Sequence, residues 1–141
     1  MIACLMPLIS LGDIHLGDRI SNYLDKYDFK FKLNQAVGDE KYDEYFLKDG
    51  NITIYVQDGV VESINCYEEC LYKGRNLIGM TIEEFISHTG FEHEEFINEL
   101  DFEEDNIPQY VYDFDKEGLQ VWVKNEKIVT IIVSEYIPDD E

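Results

Sequence analysis

The sequence predicts an α+β fold made of two tandem helix-plus-antiparallel-meander repeats. They cover about residues 12–66 and 76–134 of a single 1–141 domain, with helices packed on one side of the sheet or sheets. Three observations predict it. Apolar positions recur between two parts of the chain, each recurrence opens on a helical stripe, and each continues into alternating apolar and polar stretches.

The elements follow in chain order. The opening run Met1 to Leu11 is apolar, but it has no Lys or Arg before Arg19 and contains Pro7, so it makes a poor signal peptide and is too short to span a bilayer. It is expected to form a buried or edge strand, or an apolar arm packed on the domain. Next, Leu16 to Leu24 matches Ile78 to Ile86 sixty-two positions later. Ile20, Tyr23 and Leu24 fall at i, i+3 and i+4, as do Ile82, Phe85 and Ile86, so each set makes one apolar stripe of a short helix. Asp18 suits the N-cap of the first helix, and Thr81 with Glu84 has the separation of a capping box in the second.

The strands rest on period-two alternation. Ile52, Ile54 and Val56 alternate with polar or tyrosyl residues, Asp58-Gly59 supplies a two-residue hairpin turn, and Val60 to Ile64 returns. At an offset of sixty-seven, Leu119 to Val123, a turn around Asn125-Glu126, and Ile128 to Val133 repeat the pattern. A further strand precedes each hairpin, near Tyr42 to Leu47 and Gln109 to Phe114. Between Gly90 and Asn106, the residues Phe91, Phe96, Ile97 and Leu100 read as a second short helix on the core, with Glu92, Glu94, Glu95 and Glu99 facing solvent. The acidic run beyond them reads as loop. Open edge strands remain as docking surfaces.

Charge narrows the partners. With 31 Asp or Glu against 11 Lys or Arg, the chain carries a formal net charge of -20, so it repels phosphate and anionic membrane rather than binding them. The 10 Tyr, 8 Phe and single Trp set it apart from acidic disordered tails, which lack the aromatic mass to offset chain entropy. Three cysteines, Cys4, Cys66 and Cys70, form no disulfide framework and fit a reducing compartment, so a cytoplasmic location is expected.

Motifs for chemistry are few. Asp13-Ile14-His15 after an apolar run resembles the first metal-binding motif of calcineurin-type metallophosphoesterases, but that two-metal clamp needs further His and Asp ligands that His88 and His93 do not supply. Asp113-x-Asp115-x-Glu117-Gly118 is similar to the start of an EF-hand loop, yet Lys124 stands where the bidentate Glu is required. Cys66 and Cys70, four apart, have no second pair at zinc-finger distance. The expectation is a non-catalytic protein without metal or cofactor.

What remains is an acidic surplus. From Asn76 to Asp115 there are twelve acids and no Lys or Arg. Such density repels itself, and a cationic partner relieves the repulsion and is steered into contact. The expected partner-binding set is Glu92, Glu94, Glu95, Glu99, Asp101, Glu103, Glu104 and Asp105, with Tyr110 and Tyr112 as aromatic anchors.

The segment Gly79 to Phe85, followed at a distance by alternating strands and a returning Ile-Val-Thr-Ile, resembles the helix-then-meander repeat of beta-lactamase-inhibitor-like and small outer-membrane lipoprotein domains, which act by binding proteins. Cys4 lies too close to the start to follow a lipoprotein signal, so the resemblance implies the binding role rather than the envelope setting. A small, acidic α+β chain of this type is also similar to the immunity proteins that bacteria encode beside polymorphic or contact-dependent nuclease toxins. That resemblance implies a cognate basic nuclease domain as partner, bound so that its active site or substrate groove is occluded. The alternative is a protein-interaction or regulatory module that binds through a strand edge.

Overall fold

The computed structural model describes residues 2–37, 40–47, 51–95, 97–100 and 107–134. In chain order its elements are β1 (Leu5–Met6), β2 (Ser10–Leu11), β3 (Ile14–His15), β4 (Phe29–Val37), β5 (Glu40–Leu47), β6 (Ile52–Gln57), β7 (Val60–Cys66), β8 (Leu71–Tyr72), β9 (Arg75–Asn76), α1 (Ile82–Thr89), β10 (Ile97–Leu100), β11 (Gln109–Phe114), β12 (Leu119–Lys124) and β13 (Lys127–Ser134). Eight of the strands form one antiparallel sheet in the order β10-β11-β12-β13-β7-β6-β5-β4. This corrects the expected class. Among the described residues there is one α-helix, not one per repeat, and the chain is mostly strand.

Each half of the sheet is a four-stranded meander, and the halves meet where β13 pairs with β7. The register there is Ile131 with Cys66, Ile132 with Asn65, Val133 with Ile64 and Ser134 with Ser63. Residues sixty-seven apart occupy equivalent places, so Asn65 and its own counterpart Ile132 face each other directly. A local two-fold axis therefore passes through that pair.

Alternation assigns the two faces. Ile54, Ile64, Val121, Ile131 and Val133 point to one side and are fully buried. At about 1.5–3 kcal/mol for each buried aliphatic side chain, this row is the main source of stability. Its cover differs between the halves. Over the second meander lies α1, whose Phe85 ring meets Phe114 at 5.1 Å and Phe91 at 6.2 Å. Leu5, Leu11 and Ile14 of the small sheet β1-β2-β3, together with Ile20 and Tyr23, are buried in the same cluster, and Tyr27 stands edge-on to Phe29. The N-terminal run is thus an apolar three-stranded arm on the domain.

The two helix starts behave differently for a physical reason. Thr81 accepts a hydrogen bond from the Glu84 backbone while Glu84 accepts one from the Thr81 backbone, and Gly90 closes the helix in the left-handed region. Asp18 caps nothing. Its carboxylate accepts the Tyr23 hydroxyl at 2.6 Å, while the backbone around it joins the sheet. Ile20 N–H donates to the Gly59 carbonyl and Val61 N–H to the Asp18 carbonyl, which leaves only a single 3-10 turn at Ile20–Asn22. One turn nucleates no helix when the same backbone groups find a strand.

The second short helix expected across Phe91 to Leu100 is also corrected. Residues 91–95 are irregular, and Ile97–Leu100 is the edge strand β10, paired with β11 from Ile97 opposite Tyr112 to Leu100 opposite Gln109. Phe96 lies outside the described residues.

Both long hairpins use two-residue turns with positive φ at each position, Asp58 (53°) with Gly59 (78°) and Asn125 (52°) with Glu126 (67°). This is the turn whose twist matches paired strands, and it favours Gly at the second position. Glu126 therefore carries strain that Gly59 avoids. Glu126→Gly is expected to stabilise the fold by about 0.5–1 kcal/mol, read from urea denaturation. At Gly118 (φ 66°) an added Cβ would lie 2.1 Å from the Ser134 carbonyl oxygen and 2.7 Å from a Leu8 methyl, whereas at Gly59 nothing lies within 4 Å. Gly118→Ala is expected to cost about 3 kcal/mol or more and Gly59→Ala about 1 kcal/mol; equal costs would refute the packing at Gly118.

Candidate functional site

A cleft forms where the first turn of α1 crosses the start of β11 and the end of β12. Thr81, Ile82 and Glu83 from the helix, Tyr110 and Tyr112 from β11, and Val123 and Glu126 from the last hairpin enclose about 360 Å³. The Tyr-x-Tyr spacing places both rings on the helix side of the sheet, because side chains two apart on a strand share a face. Register adds the flank. Glu99 on the edge strand stands opposite Tyr110, and Ile97 stands opposite Tyr112.

Chemically the cleft is aromatic inside and anionic at its rim. Burial, with the nearby Glu83 carboxylate, raises the Tyr112 hydroxyl above its ordinary range. The His93 ring packs edge-on against Tyr112 at 5.1 Å and Phe114 at 5.9 Å, holding the tyrosine from the side. Glu84 lies outside the cleft and is lowered by hydrogen bonds from the Thr81 backbone and side chain, with Lys127 and Arg75 adding to the effect. Tyrosine rings beside Glu83, Glu99 and Glu126 suit the head and stem of a Lys or Arg side chain, since the carboxylates meet the charge and the rings meet the methylenes.

The predicted partner-binding residues are divided by the fold. Tyr110, Tyr112 and Glu99 meet at the cleft. Glu92 and Glu94 sit instead at the far end of β11, where the Glu94 N–H donates to the Asp113 carbonyl at 2.7 Å. There they raise the Glu117 carboxyl, although its own burial raises it more and Lys116 opposes both. Glu95 is exposed on the link to β10. Asp101, Glu103, Glu104 and Asp105 lie outside the described residues. Glu83, Glu126 and Ile97 were missed as site residues. The Tyr-x-Tyr alternation was the available signal for the face, but nothing local placed a helix turn and a distant hairpin beside it.

Comparison with protein-family models, curated proteins and solved structures returns no match. The site is therefore read from its own chemistry.

The remaining motifs have structural partners. Asp13 accepts the Tyr27 hydroxyl and Asp18 accepts the Tyr23 hydroxyl, while the His15 backbone N–H donates to Tyr23 Oη at 3.0 Å. Asp115–Glu117 is a 3-10 turn joining β11 to β12. His88 Nε2 bonds the Tyr72 carbonyl at 2.8 Å, and His93 Nδ1 the Glu94 carbonyl at 2.7 Å. Cys66 donates its thiol hydrogen to the Glu69 carbonyl, and contact with Cys66 together with burial pushes the Cys70 thiol up. No group of three His, Cys, Asp or Glu side chains is placed to hold a metal among the described residues.

Two stability measurements check this geometry. Thr81→Ala removes the cap that fixes Glu83 at the cleft and is expected to cost about 1 kcal/mol. Glu117 has a folded pKa above its ordinary value of 4.5, so its ionisation opposes folding. The penalty is absent below pH 4.5, grows as pH rises through that value, and is constant once the folded group has ionised. Glu117→Gln is therefore expected to raise the thermal midpoint at pH 7 and to make no difference below about pH 3.5.

Proposed function

We propose that this chain is a non-catalytic binding protein that neutralises a cationic macromolecule, acting as an immunity protein for a basic nuclease toxin domain in the cytoplasm. The acidic aromatic cleft carries the reading. Tyr110 and Tyr112 between Glu83, Glu99 and Glu126 form a receptor for basic side chains of a folded partner. The net charge of -20 supports it further, since the field draws in a basic domain and disfavours the nucleic acid that such a domain binds. Occlusion follows from competition: carboxylates and tyrosines occupy the groove in which phosphates would lie. No helix among the described residues is long and apolar enough to cross a membrane, which agrees with a partner met in solution.

The test mixes the purified chain with the basic toxin domain encoded beside it. Expected are a one-to-one complex, loss of nuclease activity and protection of toxin-expressing cells. Tyr110→Ala with Tyr112→Ala is expected to weaken the complex at least about tenfold, which corresponds to about 1.4 kcal/mol. No complex and no protection would end the proposal.

A second reading has its own observation. All four residues of β10 are exposed, including Ile97 at 44% and Leu100 at 36%, and among the described residues no strand pairs with its outer side, which suits an added strand. Salt separates the two. Electrostatic capture is expected to lose at least tenfold in association rate between about 50 and 500 mM salt, whereas strand addition at β10 responds little.

A further inference from the structure

The face of the sheet turned away from α1 holds a second concavity, which spans the seam between the halves at Asn65 and Ile132. It encloses about 570 Å³ and is lined by Tyr55, Ser63 and Asn65 on one side of the seam and Gln120, Trp122 and Ser134 on the other. Tyr55 and Trp122 are sixty-seven apart, so they are equivalent residues placed symmetrically about the axis. At the axis itself the symmetry breaks, with Asn65 paired to Ile132. Asn65 is only 7% exposed, and its Oδ1 is buried with no hydrogen-bond partner among the described residues.

An unpartnered buried acceptor is uncommon and calls for a donor. Chemistry of the lining narrows which one. Among the described residues no Lys or Arg lines the concavity and Glu62 is its one carboxylate, so an anionic ligand finds no counter-charge there and meets a chain of net charge -20. A carboxylate or phosphate also brings acceptors, where Asn65 Oδ1 needs a hydrogen to accept. The other polar groups are neutral amides and hydroxyls able both to donate and to accept. Two aromatic side chains beside neutral polar groups, with Val60, Val61 and Ile132 also in the lining, suit a ligand with apolar C–H faces and a rim of hydroxyls.

We infer that this concavity binds a neutral oligosaccharide, whose sugar rings pack on Tyr55 and Trp122 and whose hydroxyl donates to Asn65. The site lies on the opposite face from the acidic cleft and is independent of the proposed function. Trp122 is the single tryptophan of the chain, so its fluorescence reports on the site alone.

The test titrates the full chain with maltohexaose, cellohexaose, xylohexaose and N-acetylchitohexaose, followed by Trp122 fluorescence and calorimetry. At least one is expected to saturate at one per chain with a Kd below about 1 mM. Asn65→Leu is expected to weaken it at least about tenfold without lowering the thermal midpoint, because the substitution removes the unpaired acceptor. Tyr55→Ala is expected to weaken it similarly. Three results would overturn the inference: no saturation by any of the four at about 10 mM, an affinity unchanged in both variants, or a basic polypeptide that quenches Trp122 where the sugars do not.

Discussion

The backbone ladder between β7 and β13 is the contact on which the rest depends. It is short, running from Ile131 opposite Cys66 to Ser134 opposite Ser63, yet it turns two meanders into one sheet. Because side chains alternate strictly across a strand, this register decides every residue that faces the helix and every residue that faces away. A slip of β7 by one position would turn Ile64 outward and Asn65 inward. The apolar burial that Ile64 would lose beside Ile54 and Val133 is what holds the register in place.

From that seam follow two faces of different chemistry. On the helix side, α1 and the N-terminal arm cover most of the apolar row but leave the start of β11 open, so tyrosines and carboxylates meet at a cleft. On the other side no described element covers the centre, and the equivalent residues Tyr55 and Trp122 stand over a neutral floor. The charge of the molecule is thus unevenly expressed: dense near the cleft, sparse at the axis.

The halves diverge where tertiary contacts override local preference. Glu126 occupies a position that its counterpart Gly59 fills without strain, and it thereby places a carboxylate at the cleft. Asp18 has the character of a cap, as Thr81 does, yet Tyr23 takes its carboxylate and the sheet takes its backbone neighbours. Strain and lost caps fall beside the places where the surface becomes distinctive, as expected when binding geometry competes with local fit.

By themselves, the residues determined the two long hairpins, the strand before each and the helix at Ile82–Thr89, whereas the strand Phe29–Val37 was not read from them. Alternation from Ile52 to Val56 and from Leu119 to Val123, the Asp58-Gly59 turn, and the Thr81–Glu84 box all act within a few positions, so their energetics are written in the local order of side chains. The folded chain alone decided that Asp18 to Leu24 makes one 3-10 turn, that Ile97–Leu100 is an edge strand, and that Glu92 and Glu94 part from Tyr110 and Tyr112. The joining of β7 to β13, and with it the cleft and the axial groove, was decided there too. Each of these depends on backbone groups and charges brought together from distant positions, and a hydrogen bond or a repulsion between them exists only once the chain has closed the loop between them.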